Sequence, residues 1–118
     1  MRHAAVDLEL HGHPGGAQQV EWFFDQYIAE ADRTDWRFAP ALAADHEGLA
    51  PACMVVAECD SLVDEDIAYG DILRAAGVAV DLEIWRGVTH DFIKMGRMLP
   101  EAAQAQQAIA DALKKAFE

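Results

Sequence analysis

Residues 52–60 read ACMVVAECD, six apolar residues followed by Glu, Cys and Asp. A short, uncharged run of this kind is typical of a strand buried on both faces of a parallel sheet. Three acids open the segment 64–76, which favours a helix N-terminus through the helix dipole, and Gly77 favours the end of that helix. Residues 78–85, VAVDLEIW, alternate with the two-residue period of a second strand. The sequence therefore predicts a strand–helix–strand unit over 52–85.

Two further helices are predicted on either side of this unit. Apolar residues recur at steps of three and four from Val20 to about Ala31, and their aromatic members are expected to belong to the core. Pro100 suits the first position of a helix that continues to Phe117. Strand–helix–strand at this spacing implies parallel strands joined by a right-handed crossover. Two parallel strands alone leave edges and apolar faces without cover, so the pattern indicates part of a larger sheet.

Composition narrows the classes of function. The chain has 118 residues, 53% of them hydrophobic, which suits one small domain with a modest core. A net charge of -12 repels phosphate backbones and anionic lipids, and so disfavours nucleic-acid and membrane-surface binding. MRHAAVDLEL at the start lacks the apolar segment of a signal peptide. Cys53 and Cys59 lie in one predicted strand, which separates them by about 20 Å, too far for a disulfide bond. Both are therefore expected to be reduced core residues of a cytoplasmic protein.

Two residues with catalytic chemistry follow the predicted strands. Asp60 comes directly after the first strand, and His90 comes about five residues after the second. Carboxyl ends of parallel strands share one sheet edge, where ligands bind, so the two side chains are expected to meet. An acid that orients an imidazole forms two-thirds of a Ser-His-Asp triad, in which the histidine accepts the serine proton. The competing interpretation is a solvated Asp60 and a surface-loop His90, because acids and histidines are common at strand ends.

Residues 22–118 resemble the C-terminal third of the hormone-sensitive-lipase-like bacterial carboxylesterases. WFFDQYI (22–28) is similar to an aromatic helix of that family. RFAPALAADHEGLAPACMVVAECDSLVDED (37–66) resembles the family segment of the type SPLLA…L.GLPPALVVTAEFDPLRDEG. LRAAGVAVDLEIWRGVTHDFIKMGRMLPEA (73–102) resembles LRAAGVPVELREYPGMIHGFLSM and the residues that follow it in the family. The resemblance implies a partial α/β-hydrolase fold, a βαβα unit with parallel strands and a preceding helix. Residues 20–118 would form the C-terminal part of that domain, and residues 1–19 are left unassigned.

The resemblance also implies roles for single residues. Asp60 would be the triad acid and His90 the general base, while Asp64 is interpreted as a helix N-cap. Ser61 stands where the family has proline, and Asp91 stands where it has glycine after the histidine. The Asp91 carboxylate either raises the pKa of His90 or points to solvent. The implied substrate is a small acyl ester, and no cofactor is expected.

The nucleophile of this family has no counterpart in the chain. Ser61 is the sole serine, and no G-x-S-x-G motif surrounds it. HGHPGG (11–16) superficially resembles an HGGG oxyanion motif, but a plain loop is favoured over an oxyanion role for Gly12, Gly15 or Gly16. His11 and His13 form an H-x-H pair without a visible third ligand, so no metal site is predicted.

These features support two functional hypotheses. The first is a C-terminal fragment of a serine carboxylesterase that supplies the triad Asp and His and is inactive alone. The second is a noncatalytic mini-domain derived from that fold, which associates with itself, most simply as a two-fold homodimer with strand 52–57 at the interface. A monomer in which residues 1–19 add a strand is the alternative to the homo-oligomer. The aromatic side chains of the helix at 20–31 could also bind a partner.

Overall fold

The computed structural model describes residues 16–118, and their side chains from residue 20 onward. Its helices and strands, in chain order, are α1 (Gly16–Tyr27), β1 (Ala52–Cys59), α2 (Val63–Ala75), β2 (Val80–Thr89) and α3 (Pro100–Phe117). Short 3₁₀ turns occupy Glu30–Asp32, Pro40–Leu42 and His90–Lys94. The order is the predicted one. The first helix is displaced, because Gly16, expected in a loop, already lies in α1, while the rest of the HGHPGG segment lies outside the described residues.

The two strands pair in parallel, as predicted. The register joins Ala52 to Val80 and continues to Ala57 opposite Trp85, after which Cys59 pairs with Thr89. Three residues of β2, 86–88, therefore face a single residue of β1 in this irregular stretch, which is a β-bulge. Both strands run further than the sequence predicted, to Cys59 instead of residue 57 and to Thr89 instead of residue 85. Gly87 (φ +71°) takes the left-handed backbone conformation that lets β2 pass through the bulge and resume pairing.

Helix α2 begins and ends where local chemistry requires. Its first turn carries Asp64, Glu65 and Asp66, whose charges suit the positive end of the helix dipole. At the other end Gly77 has φ +80°, and its N–H donates to the Arg74 carbonyl at 3.0 Å. The N–H of the next residue donates to the Leu73 carbonyl at 3.0 Å, which completes a Schellman motif. This ending turns the chain back toward β2.

The helices α2 and α3 pack on opposite faces of the sheet. A buried cluster lies on the α3 side and comprises Ala57, Val88, Phe92, Ala102 and Ala105. Helix α2 approaches the other face at Gly70, which lies next to the side chains of Met54 and Leu82. Adjacent strand residues point to opposite faces, so Met54 and the cluster member Ala57 belong to different sides. The core is thus split into two thin layers around two strands.

Several side chains predicted in the core are exposed. In β1 only Val56 and Ala57 are buried, and Cys53 and Cys59 are both exposed free thiols. Strand β1 pairs with β2 alone among the residues described, so its other edge and much of its surface have no cover there. The uncharged sequence marks a strand suited to burial, but the elements that would bury it are not among residues 16–118.

The aromatic face of α1 departs from prediction in the same way. Exposed fractions range from 39% for Phe24 to 79% for Tyr27, with Trp22 and Phe23 between them. Phe24 and Tyr27 instead contact Phe38, at ring-centroid distances of 5.3 and 6.0 Å. The expectation of a buried aromatic stripe is therefore wrong for the described part of the chain. None of the helices described there combines the length and apolar character that crossing a membrane requires.

Replacing Gly70 by Ala should stabilise the fold by about 0.5–1 kcal/mol, since glycine in a helix interior costs that much relative to alanine. The added Cβ would lie 3.4 Å from Leu82 Cδ1 and from Met54 Sδ, which are the movable ends of side chains. Gly77→Ala is the matched control and should destabilise by about 1–2 kcal/mol, because its φ is positive. Urea denaturation measures both. A destabilising Gly70→Ala would mean that α2 and the sheet are packed too tightly to admit a methyl group.

Candidate active site

Asp60 lies at the end of β1 with both carboxylate oxygens engaged. The residue is buried, with 8% of its surface exposed. Oδ1 accepts a hydrogen bond from the Leu62 backbone N–H at 3.0 Å, which closes a tight turn into α2. Oδ2 lies 2.5 Å from His90 Nδ1. The side chain is therefore held from two directions, by the turn that starts the helix and by the imidazole.

The N-cap interpretation of Asp64 is wrong. Leu62 occupies the N-cap position of α2, without a side-chain cap, and Asp64 lies within the first helical turn. The side-chain contact that shapes this helix start comes instead from Asp60. The DxxxD spacing could not separate the two acids, because either one can accept a hydrogen bond from a backbone N–H near a helix start.

His90 directly follows the last residue of β2 and opens the 3₁₀ turn His90–Lys94. Its imidazole meets the Asp60 carboxylate at Nδ1, and 67% of its side chain remains exposed. The expectation that the two residues meet at one sheet edge is confirmed, whereas their catalytic roles stay a prediction. With Nδ1 engaged by Asp60, Nε2 is the ring nitrogen left to exchange a proton with another group.

Three carboxylates raise the pKa of His90. The hydrogen bond with Asp60 contributes most, followed by the charge of Asp60, and burial opposes these two effects less strongly. The charges of Asp91 and Asp66 raise the pKa by smaller amounts. Asp91 also forms a salt bridge with Lys94 at 2.8 Å, and the hydrogen bond to Lys94 lowers the pKa of Asp91. The two interpretations of Asp91 thus combine: the side chain is exposed and paired, and its charge still favours the imidazolium.

A cleft of about 260 Å³ opens beside the pair. Besides Asp60 and His90 it is lined by Asp66 and by apolar side chains, namely Val55, Val56, Ala57, Phe92, Ile93 and Ile109. Burial raises the pKa of Asp66, and the charges of Asp60 and Glu65 raise it further. Sequence reasoning did not single out Asp66. The available signal was its place in VDED (63–66), where the family segment ends in glycine.

Other candidate residues do not join this site. Within residues 16–118, no three His, Cys, Asp or Glu side chains are grouped as a metal site would require. His11, His13, Gly12 and Gly15 lie outside the described part of the chain. Ser61, the sole serine, is exposed in the turn after Asp60. The arrangement can orient an imidazole and move a proton.

Comparisons with known proteins agree on one family. The model of a family described as having the α/β hydrolase fold matches residues 5–94. An ethyl acetate hydrolase of Pseudomonas putida is 46% identical over 115 residues, which are 97% of this chain and 36% of that protein. The carboxylic ester hydrolase LipN of Mycobacterium tuberculosis is 37% identical over 99 residues, covering 82% of this chain and 26% of LipN.

Solved structures give the same result. EstE1, a thermostable carboxylesterase cloned from a metagenomic library, superposes with a TM-score of 0.82 at 27% identity, over 86% of this chain and 35% of EstE1. The chain spans about a third of the length of such relatives. It therefore belongs to the α/β-hydrolase-fold family, as a segment similar to the hormone-sensitive-lipase-like carboxylic-ester hydrolases.

Proposed function

We propose that this chain supplies the acid and the general base of a serine-ester-hydrolase triad, with Asp60 as the acid and His90 as the base. The observation that carries the proposal is the 2.5 Å contact between Asp60 Oδ2 and His90 Nδ1 at the carboxyl ends of two parallel strands. The names of the relatives, ethyl acetate hydrolase and carboxylic ester hydrolase, support an ester as substrate.

The proton path follows from this contact. Nδ1–H donates to Asp60, which fixes the tautomer and leaves the Nε2 lone pair free. Nε2 takes the proton of a serine hydroxyl as its oxygen bonds to the ester carbonyl carbon, and the imidazolium then gives that proton to the departing alkoxide. Water repeats the sequence on the acyl-enzyme and releases the acid. Every step is proton transfer or acyl transfer, so no metal or organic cofactor is needed.

The serine in this scheme has to come from residues other than those of this chain. Ser61 lacks the flanking glycines of a nucleophile elbow, and it lies directly beside the acid. We therefore propose that the chain, residues 20–118 above all, corresponds to the C-terminal part of a longer hydrolase and is inactive alone. Removing a single oxyanion-hole donor typically lowers the rate by about 10²–10³, and this chain shows neither donor nor nucleophile in its described part.

The cleft favours small, uncharged acyl esters. Six apolar side chains line it, and its carboxylates would repel an anionic acyl group. The net charge of -12 argues against nucleic acid and anionic membranes as partners. Two exposed free thiols suit a reducing compartment, which supports a cytoplasmic location.

A second candidate function is self-association without catalysis. It is favoured by the aromatic side chains exposed on α1 and by the edge of β1 that has no partner within residues 16–118. Burying these surfaces in a two-fold homodimer would remove apolar area from water and cover a strand edge open to aggregation. Such a dimer need not involve the Asp60–His90 pair.

The chain alone should hydrolyse p-nitrophenyl acetate no faster than its His90→Ala variant, because its sole serine, Ser61, does not lie in a nucleophile elbow and should form no acyl-enzyme. Intact-mass measurement on the same sample establishes that only this chain is present. Turnover well above that of the variant would contradict the proposal, whereas a covalent acetyl group on the chain would show which residue is the nucleophile.

The imidazole of His90 should titrate with a pKa above the ordinary value of about 6.5, and Asp60→Asn should bring it down toward that value. Since the pKa is raised in the folded state, the protonated ring stabilises the fold below the unfolded pKa, and this contribution is lost as pH rises through the folded pKa. Histidine ring resonances in NMR spectra measure both changes. An unchanged pKa in Asp60→Asn would mean that the contact is absent in solution.

Sedimentation equilibrium at micromolar concentration should give a mass near twice the 12.9 kDa chain. Cys53→Lys, which places a charge on an exposed position of β1, should shift the protein toward monomer. Ala68→Lys makes the same charge change on the exposed part of α2 and should leave the mass unchanged. A monomeric parent chain would refute self-association without affecting the catalytic proposal.

A further inference from the structure

Glu58 occupies the single β1 position that faces the bulge of β2. Ala57 pairs with Trp85 and Cys59 with Thr89, so one residue of β1 lies opposite residues 86–88. A bulge leaves backbone groups of the longer strand without regular partners in the ladder, and those groups need other hydrogen-bond partners. The side chain of the residue opposite the bulge can therefore have a structural role, as a hydrogen-bond partner for one of these backbone groups.

The Glu58 side chain fills that role. Its Oε2 accepts a hydrogen bond from the Gly87 backbone N–H at 2.8 Å, joining residues 29 positions apart in the chain. Gly87 is the residue with φ +71° at the centre of the bulge. No salt bridge formed within residues 16–118 includes Glu58, so its carboxylate is not committed to a cation there. The contact replaces a missing rung of the ladder.

The position of this contact links it to the catalytic pair. Asp60 follows Glu58 by two residues, and His90 follows Gly87 by three. Without the bulge, β2 would reach the sheet edge two residues earlier, and a residue other than His90 would lie next to Asp60. The bulge thus sets which residue of β2 meets the acid.

We propose that Glu58 is a positioning residue: by accepting the Gly87 N–H it holds the β2 bulge in the form that brings His90 Nδ1 to Asp60 Oδ2. The inference deepens the proposed function, because it concerns the same base. Glu58 should affect His90 because its side chain is long enough to accept the Gly87 N–H, and not because it carries a charge. The acids whose charges act on the His90 ring are Asp60, Asp91 and Asp66, and Glu58 is not one of them.

Three variants of the full chain separate reach from charge. Glu58→Gln keeps the length and an accepting oxygen but removes the charge. Glu58→Asp keeps the charge but is one methylene shorter, and Glu58→Ala removes both. The readouts are the pKa of the His90 ring and the hydrogen-bonded Nδ1 proton in NMR spectra, with thermal unfolding recorded for each variant. Asp81→Ala, an exposed acid of β2 opposite Cys53, is the control away from the bulge.

The proposal expects Glu58→Gln and Asp81→Ala to match the parent chain. It expects Glu58→Asp and Glu58→Ala to lower the His90 pKa toward its ordinary value and to lose the Nδ1 proton signal, because the hydrogen bond with Asp60 is the main reason that the pKa is raised. A fall in Glu58→Gln equal to that in Glu58→Ala would overturn it in favour of a charge effect. Unchanged His90 signals in Glu58→Asp and Glu58→Ala would overturn it outright.

If Glu58→Ala does not fold, the comparison of Glu58→Gln with Glu58→Asp decides the question. Glu58→Gln keeps the side-chain length and loses the charge, whereas Glu58→Asp keeps the charge and loses the length. The test measures the His90–Asp60 contact and not ester hydrolysis. Failure of Glu58 as a positioning residue would leave the proposed triad roles standing, and failure of the triad roles would leave the positioning of His90 measurable.

Discussion

The parallel pairing of β1 with β2 is the constraint on which the site depends. It brings the carboxyl ends of two strands to one edge, so that Asp60 and His90, thirty residues apart in sequence, share a hydrogen bond. An antiparallel pair would send these residues to opposite ends of the sheet. The crossover through α2 makes the parallel arrangement possible, and the Schellman ending at Gly77 returns the chain to begin β2. Local backbone chemistry therefore determines the geometry of the acid and the imidazole.

Much of this architecture could be predicted from sequence because it rests on local signals. The uncharged run at 52–57 and the two-residue alternation at 78–85 both correctly indicated strands, and Pro100 correctly indicated the start of α3. Strand length was less accessible. At the bulge, the Gly87 N–H donates to the side chain of Glu58 on the other strand. The sequence of β2 alone does not reveal a contact with another strand.

Burial could not be predicted so well, for a different reason. Apolar periodicity identifies the face of an element that is suited to contact, but burial requires another element to cover that face. Cys53 in β1 and Tyr27 in α1 lie on surfaces that residues 16–118 leave open, although both positions have the apolar context of a core. Asp66 was missed for a third reason: an acid in a first helical turn has an ordinary explanation in the helix dipole, which conceals its place in the cleft.

The two oxygens of Asp60 serve two parts of the molecule. Oδ1 closes the turn into α2, and Oδ2 holds the imidazole. The first turn of α2 and the orientation of His90 are therefore coupled through one rigid carboxylate. Fraying of that helix end would free the carboxyl group to rotate, and the ring would lose its partner in the same event. Local opening of α2 and loss of the oriented base should thus behave as one cooperative unit, with the same free energy and the same dependence on temperature.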